Sequence, residues 1–305
     1  MNSYSEFLAF CDKIECEYST RELLRNYTSF KIGGIADVMV FPDTEEKLVS
    51  VVRYTNENGV NLFVLGKGSN LLINDDGIRG VVLNTCRMDE IRLADETTIV
   101  CQSGASLSRL CRFAFDNSLT GLEFAFGIPS TAGGAAYMNA GAYGGEMKDV
   151  LASCSHVCRN GDKGVFCGEE LDLSYRHSAY SNKDYIITSL VIKLQKGDKT
   201  EIKAKMDDLM FRRKDKQPLE YPSAGSTFKR PEGYFAGALI EQCNLKGYTS
   251  GGAQVSEKHA GFVINIGGAT AADVMNVIDH CKDTVLKNTG VTLEPEVKII
   301  GQEGK

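Results

Sequence analysis

Apolar and polar positions alternate along this chain in two rhythms, and the switches between them outline its elements. Residues 36–41 read as a strand, after which Asp43 and Glu46 supply an Asp-x-x-Glu helix start. Leu48, Val51 and Val52 then recur at helical spacing, and Gly59 offers the stop. Val60 to Leu65 returns to strand, so a β-α-β unit runs into the turn Leu65-Gly66-Lys67-Gly68-Ser69-Asn70. Beyond that turn, Leu71-Leu72-Ile73 and Val81-Val82-Leu83 flank Asn74-Asp75-Asp76-Gly77, the pattern of a β-hairpin.

The rhythm continues with a strand near Thr97 to Cys101 and a helix whose inner face carries Leu107, Leu110, Cys111 and Ala114. Val150 to Val157 and Lys163 to Phe166, joined at Asn160-Gly161, predict a hairpin, and Tyr185 to Leu194 a further strand. From Glu201 to Lys214 a helix turns Ile202, Met206, Leu209 and Met210 inward. A polar, proline-bearing link follows from Gln217 to Ala224. The last part predicts helices near Phe235 to Cys243 and Ala271 to Lys287, the second capped by Thr270 and stopped by Gly290. Strands near residues 253–255, 261–266 and 291–300 complete an α+β pattern.

With 305 residues the chain is long enough for two or three domains. Its net charge of −6 argues against a general nucleic-acid surface, which wants a basic footprint. No apolar run approaches the roughly 20 residues that cross a bilayer, and the start MNSYSEFLAF has no basic region followed by a long apolar stretch. The expectation is a cytosolic chain that binds neither membrane nor nucleic acid. The 10 cysteines are scattered without a CxxC pair, and the 4 histidines are dispersed, so small buried hydrophobes are expected and no metal site.

Chemistry enters through glycine. Gly121 to Glu146 reads GLEFAFGIPSTAGGAAYMNAGAYGGE, too poor in large side chains to build a core by itself. Such a run serves either tight packing or close approach of backbone to a ligand. The second glycine-rich turn, at Leu65 to Asn70, favours the ligand, and two such cradles suit a large molecule with a pyrophosphate. That turn is followed by a strand, so it is neither a P-loop nor a G-x-G-x-x-G dinucleotide turn. Backbone amides, with Ser69 and Asn70, must then hold the anion without a helix dipole.

Read in order, the motifs resemble those of the UDP-N-acetylenolpyruvoylglucosamine reductase family. They are Asn26-Tyr27-Thr28-Ser29-Phe30 with Gly33-Gly34-Ile35-Ala36, LGKGSNLL (65–72), GIPSTAGGAAYMNAGAYG (127–144) and Tyr175-Arg176-His177-Ser178. They continue with Gly225-Ser226-Thr227-Phe228-Lys229-Arg230-Pro231, GGAQVSEKHAGFVIN (251–265) and Leu293-Glu294-Pro295-Glu296-Val297. The resemblance implies an α+β chain with an FAD-binding fold of the vanillyl-alcohol-oxidase (PCMH) type, built from two α+β subdomains over 1–90 and 91–200. A C-terminal α+β substrate-binding domain would cover 201–305. It further implies the shorter, second structural class of the family, a bacterial cytoplasmic source, a monomer, and a role in peptidoglycan precursor synthesis. Ser130 departs from the family's usual glycine. If that position needs φ > 0, the serine costs about 1 kcal/mol.

The implied reaction is reduction of UDP-N-acetylglucosamine enolpyruvate to UDP-N-acetylmuramate, with NADPH as reductant and noncovalent FAD as carrier. Hydride goes to C3, and the electrons move into the carboxylate as an enolic dianion, which needs cationic or hydrogen-bond-donating groups. The resemblance gives Arg176 and Glu296 that stabilising role, the glutamate if burial keeps it protonated, and Ser226 the proton for C2. Taken bare, the same residues would read as a salt bridge, a solvated strand start and a turn. For the cofactor it points to Tyr27, Gly66, Gly68, Ser69, Asn70, Leu71, Gly127, Ile128, Gly134, Asn139, Ala142 and Tyr143. For the nucleotide sugar it points to Tyr175, Arg213, Lys216, Lys229 and Arg230. The competing readings are a carbohydrate or alcohol oxidase on the same flavin fold and a non-catalytic flavin or nucleotide-sugar binding protein.

Overall fold

The computed structural model describes residues 4–301 except Asn182. The chain divides into two compact units that the backbone visits alternately. The first is built from Met1–Thr20, Val38–Lys67 and Gly80–Arg212, the second from Arg21–Asp37, Gly68–Arg79 and Arg213–Lys305.

The first unit has two hydrophobic cores. One packs helix α1 (Ser5–Lys13) and helix α2 (Glu45–Glu57) against a sheet, with Phe7, Cys11, Leu48, Val51, Val52, Val81 and Leu83 buried. The strand order in that sheet is Glu17–Leu23, Ile35–Phe41, Ile78–Asn84, Leu62–Leu65. Leu62–Leu65 runs parallel to Ile78–Asn84, which stands between it and Ile35–Phe41, the strand on the other side of α2 in sequence. The N-cap of α2 is Thr44, whose Oγ1 accepts from Lys47 N at 3.2 Å. Asp43, expected to start the helix, lies one residue outside and pairs with Lys47 at 2.9 Å instead.

The other core of this unit lies on an antiparallel sheet ordered Lys163–Cys167, Leu151–Cys158, Tyr185–Lys193, Thr98–Gln102, Ile91–Leu93. Helix α3 (Leu107–Asp116) buries Leu107, Leu110, Cys111 and Ala114 against it, the face its spacing predicts. Helix α4 (Ala132–Tyr137) forms inside the Gly/Ala run, and Ala132, Ala135 and Ala136 are buried in this core. The glycine- and alanine-rich run therefore does contribute packing, its small residues letting neighbours come close while Leu122 and Phe124 are buried in the same core. Helix α5 (Lys199–Lys216) follows, with Ile202, Met206 and Leu209 buried.

The second unit centres on helix α6 (Ala236–Gln242) and helix α7 (Ala271–Thr289) with the three-stranded sheet Thr249–Ser250, Ala253–Val255, Val263–Asn265. Thr270 caps α7 in a reciprocal capping box with Asp273, and Gly290 ends it at φ 72°. Phe30, Ile32 and Leu72, far upstream in sequence, are buried in this core with Val274, Val277, Ile278 and Leu293.

The hairpin expected at Asn74–Gly77 does not form. The turn itself closes, with Gly77 N donating to Asn74 O at 3.0 Å. However, Leu71–Ile73 pairs in parallel with Lys298–Ile300, while Ile78–Asn84 joins the sheet of the first unit. Gly34 N also donates to Asn74 O, at 3.0 Å, so a distant segment fastens the turn and directs its two arms apart.

Candidate active site

In the first unit, the cofactor-type motifs converge on α4. Gly127 takes φ 87°, turning the chain into Pro129 and Ser130. Ser130 is absent from the left-handed residues, so replacing the family's glycine here carries no φ strain. Its hydroxyl donates to Thr131 O at 3.0 Å, and its amide to Ile128 O at 2.9 Å. Thr131 caps α4 by accepting from Gly134 N at 3.1 Å. A Cβ on Gly66 would lie 2.7 Å from Thr131 Oγ1, so the first glycine of LGKGSN is packed on that cap. Lys67 Nζ donates to Ser106 Oγ at 3.0 Å, and Ser106 bridges Thr131.

Farther along, Ala142 and Gly145 pair across a two-residue turn in which Tyr143 (φ 55°) and Gly144 (φ 86°) are both left-handed, a type I′ signature. Asn139, 1% exposed and itself at φ 42°, donates from Nδ2 to Glu146 Oε2 (2.8 Å) and to Ser174 O (2.9 Å). Ser174 and His177 exchange backbone hydrogen bonds of 3.2 and 3.1 Å around Tyr175-Arg176. Arg176 sits at φ 55°, with its guanidinium carbon 5.1 Å from the centre of the Tyr175 ring. Tyr175 is 52% exposed and Tyr143 is 43% exposed, so both rings are accessible.

In the second unit, Gly68 (φ 57°) lies against the Asn26–Phe30 motif. Ser29 N donates to Gly68 O at 3.3 Å, and a Cβ on Gly68 would stand 2.5 Å from Tyr27 O. Asn70 then reaches the other end of the sequence: its Nδ2 donates to Glu296 O at 3.1 Å, and its carbonyl accepts from Lys298 N at 3.0 Å. Leu71 stands in the strand that pairs with Lys298.

Ser226 and Glu296 are brought onto adjacent antiparallel segments. Glu296 N donates to Thr227 O and Lys229 N to Glu294 O, each at 2.8 Å, around the Phe228–Pro295 bridge. Gly225 turns the chain into Ser226 at φ 77°, and Ser226 is exposed where Thr227 and Phe228 are buried. Thr227 Oγ1 accepts from Val263 N at 2.9 Å, fixing this segment to the small sheet.

The basic residues separate. Lys229 pairs with Glu294, and Arg230 stacks over Phe235 with 4.0 Å from its guanidinium carbon to the ring centre. Arg213 is buried at 6% exposure and donates from Nη1 to Gln217 Oε1 at 3.2 Å. Lys216, one turn on, leaves 77% of its side chain in solvent beside Asp215. These two do not share an environment.

Backbone donors show what the glycine turn can hold. Among the described residues, the amides of Gly66, Lys67, Gly68 and Ser69 donate to no protein acceptor. Consecutive amides without a protein acceptor, beside a glycine at positive φ, are the kind of donor that suits an anion. This donor set fits the pyrophosphate of a dinucleotide. Motif resemblance assigns no role to Lys67, Ser106 or Thr131 here. A Thr directly before an alanine run is an N-cap signal that could have found the last of them.

A family model described as "FAD binding domain" matches residues 36–163, and one described as "UDP-N-acetylenolpyruvoylglucosamine reductase, C-terminal domain" matches residues 217–300. The chain is 51% identical over 282 residues to the UDP-N-acetylenolpyruvoylglucosamine reductase of Exiguobacterium sibiricum, covering 92% of each chain. It is 45% identical over 305 residues to that of Clostridium tetani, covering 99% of each. The crystal structure of UDP-N-acetylenolpyruvylglucosamine reductase from Thermus caldophilus superposes with a TM-score of 0.79 at 34% identity, covering 93% of this chain and 98% of that one. An alkyldihydroxyacetonephosphate synthase shares the fold alone, at 19% identity and a TM-score of 0.50 over 64% of this chain. A mixed α/β chain with an FAD-binding domain and near-full-length likeness to these enzymes belongs to the UDP-N-acetylenolpyruvoylglucosamine reductase family.

Proposed function

We propose that this protein reduces UDP-N-acetylglucosamine enolpyruvate to UDP-N-acetylmuramate at the expense of NADPH, an oxidoreductase step in peptidoglycan precursor synthesis. FAD, when bound, would supply the hydride-transfer chemistry between NADPH and C3 of the enolpyruvyl group. The amides of Gly66 to Ser69 hold the cofactor's pyrophosphate. Tyr27, Asn70, Leu71, Gly127, Ile128, Gly134, Ala142 and Tyr143 are assigned to the cofactor with them, whereas the Asn139 side chain, which the motif also offers to it, is turned to Glu146 and Ser174.

Hydride arriving at C3 drives electrons into the substrate carboxylate. The Arg176 guanidinium stabilises that charge as a bidentate partner, and Glu296 assists as a hydrogen-bond donor. Ser226 then gives its hydroxyl proton to C2, which completes the saturated lactyl ether. Lys229, Arg230, Arg213, Lys216 and Tyr175 are assigned to the nucleotide sugar. The partition 1–90, 91–200 and 201–305, a bacterial cytoplasmic location and a monomeric state belong to the same proposal.

One observation carries the reading most directly. Asn70, in the turn with the available amides, hydrogen-bonds the carbonyl of Glu296, and Glu296 in turn hydrogen-bonds the segment bearing Ser226. That single hydrogen-bonded run supports the reading, because it links the glycine turn to the segments that bear Glu296 and Ser226.

The test separates the half-reactions. In Ser226→Ala, NADPH should reduce the flavin at the wild-type rate while reoxidation by the enolpyruvyl nucleotide sugar falls about 10²- to 10⁴-fold, the usual size of a general-acid contribution. Equal loss of both half-reactions removes serine from proton donation. An intact flavoprotein that oxidises NADPH no faster when the nucleotide sugar is added defeats the whole reading.

A further inference from the structure

The turn that presents Arg176 is closed by the mutual backbone hydrogen bonds of Ser174 and His177, and His177 Nε2 stands 2.9 Å from Asp172 Oδ2. Both Asp172 (φ 46°) and Arg176 (φ 55°) are left-handed non-glycine residues, a conformation that persists only where the surroundings enforce it. Beyond those local contacts, two anchors within the first unit come from the Gly/Ala run. At one foot of the turn, the Asn139 carboxamide donates to Ser174 O (2.9 Å). At the other, Ser178 Oγ donates to Tyr137 O (2.8 Å), and Ser178 is 0% exposed. Both anchors come from the three residues 137–139, at the C-terminal end of α4.

Asn139 is itself fully engaged. Its second Nδ2 hydrogen bond goes to Glu146 Oε2 at 2.8 Å, and its Oδ1 accepts from Lys148 N at 2.9 Å. Glu146 is held in turn by a capping box with Asp149 and an ion pair to Lys148 at 3.1 Å. A carboxamide has two N–H groups, and here both end on protein acceptors. Nothing in that arrangement leaves the side chain a donor for a cofactor.

We infer that Asn139 and Ser178 are positioning residues for Arg176, tying the substrate-carboxylate arginine to the end of the flavin-lining helix rather than touching either ligand. The inference rests on the role given to Arg176 above. Its consequence is a mechanical link: the segment lining the cofactor also sets where the guanidinium stands, so misplacing one foot of the turn weakens the transition state without emptying the flavin site.

The variant is Asn139→Gly, because glycine accepts φ 42° and only the side chain is lost. In the holoenzyme, flavin content, its visible spectrum and the rate of reduction by NADPH should stay at wild type. Reoxidation by the enolpyruvyl nucleotide sugar should fall about 10- to 100-fold, the effect of a catalytic group held out of place. Ser178→Ala, which removes one hydroxyl at the opposite foot, should show the same pattern and carries the test if Asn139→Gly does not fold. Combined with Arg176→Lys, either variant should add less than about twofold, because both losses act through one guanidinium. Wild-type reoxidation, equal loss of both half-reactions, loss of flavin, or full additivity with Arg176→Lys overturns the inference. An Arg176→Lys enzyme that reoxidises normally overturns the role of Arg176 as well. An impaired Arg176→Lys beside a normal Asn139→Gly and Ser178→Ala overturns the positioning alone.

Discussion

Gly68→Ala tests the amide cradle, because the structure gives the substitution two separable costs. The first is conformational: φ 57° is left-handed, and an L-residue there costs about 1–2 kcal/mol. The second is steric. The new methyl would stand 2.5 Å from Tyr27 O and 3.0 Å from Thr28 Cα, both backbone atoms that cannot rotate away. Ordinary carbon contacts lie at about 3.5–4.0 Å, so the turn must shift by something near 1 Å. Each amide-to-phosphate hydrogen bond is worth about 1.5–3 kcal/mol because its acceptor is charged. Displacing two of them removes about 3–6 kcal/mol of FAD binding, a rise in Kd of about 10²- to 10⁴-fold. Gly59→Ala is the control. Its φ is 63° with nothing within 4 Å of the added methyl, so it carries the conformational cost alone. Titrating apoprotein with FAD and following quenching of flavin fluorescence gives both constants, and thermal unfolding of the apoproteins gives the strain. FAD affinity within about threefold of wild type in Gly68→Ala, with a similar loss of stability in both variants, would refute the assignment of these amides to the pyrophosphate.

Two further outcomes concern the framework. Burial pushes the Cys101 and Cys281 thiols up to about 12, and burial with the Glu123 carboxylate does the same for Cys111. At pH 8 their thiolate fraction is then about one in 10⁴, so iodoacetamide followed by mass spectrometry should modify the exposed Cys167 first and these three only on unfolding; equal rates in the native protein would contradict the packing. Burial, assisted by the Lys183 ammonium, holds His156 below the ordinary imidazole range, and burial does the same for His259. Because the unfolded chain takes up protons near pH 6.5 that the folded chain refuses, stability should be complete above that pH and fall as pH drops toward the folded values, by at most about 1.4 kcal/mol per pH unit for each histidine. Urea midpoints between pH 7.5 and 5.5 should therefore decline, and His156→Phe should flatten the slope; an unchanged slope would clear His156 of the effect.

Elements made by local rules were legible. The inner face of α3, the capping box and glycine stop of α7, and the hairpin across Asn160-Gly161 all follow from spacing and turn chemistry that neighbouring residues decide. What failed was partner choice. Asn74-Asp75-Asp76-Gly77 makes the turn its composition asks for, yet the strands on either side find non-local partners, because a ladder's hydrogen bonds can be satisfied by any strand that tertiary structure delivers. Likewise Phe30, Ile32 and Leu72 are buried with residues some two hundred positions away, and no window on the sequence contains both sides of that contact. The start of α2 was missed by one residue because Asp43 and Thr44 are both capping residues. Geometry decided for the threonine, while the aspartate's charge went to Lys47.

The site shows a different kind of limit. Motifs identify residues that matter without saying what each one does, and Asn70 and Asn139 illustrate the gap. Both stand in segments that resemblance connects with the cofactor, yet the side chain of one fastens the strand of Glu296 and that of the other fastens the turn of Arg176. An asparagine carboxamide is suited to this work. It offers two donors and an acceptor in one plane, carries no charge to disturb a bound dianion, and tolerates the left-handed backbone that Asn139 adopts. Aspartate at either position would keep the shape, lose the donors and add a negative charge; at position 139 that charge would stand beside Glu146. Glutamine would keep the donors but must extend by a methylene into a site that is 1% exposed at Asn139. The demand for asparagine therefore comes from the backbone carbonyls it must reach, Glu296 O and Ser174 O, and these are fixed by the fold rather than by the flavin. On the proposed reading, pyrophosphate recognition would fall instead to main-chain amides, which any residue supplies, with the glycine at φ 57° setting their direction.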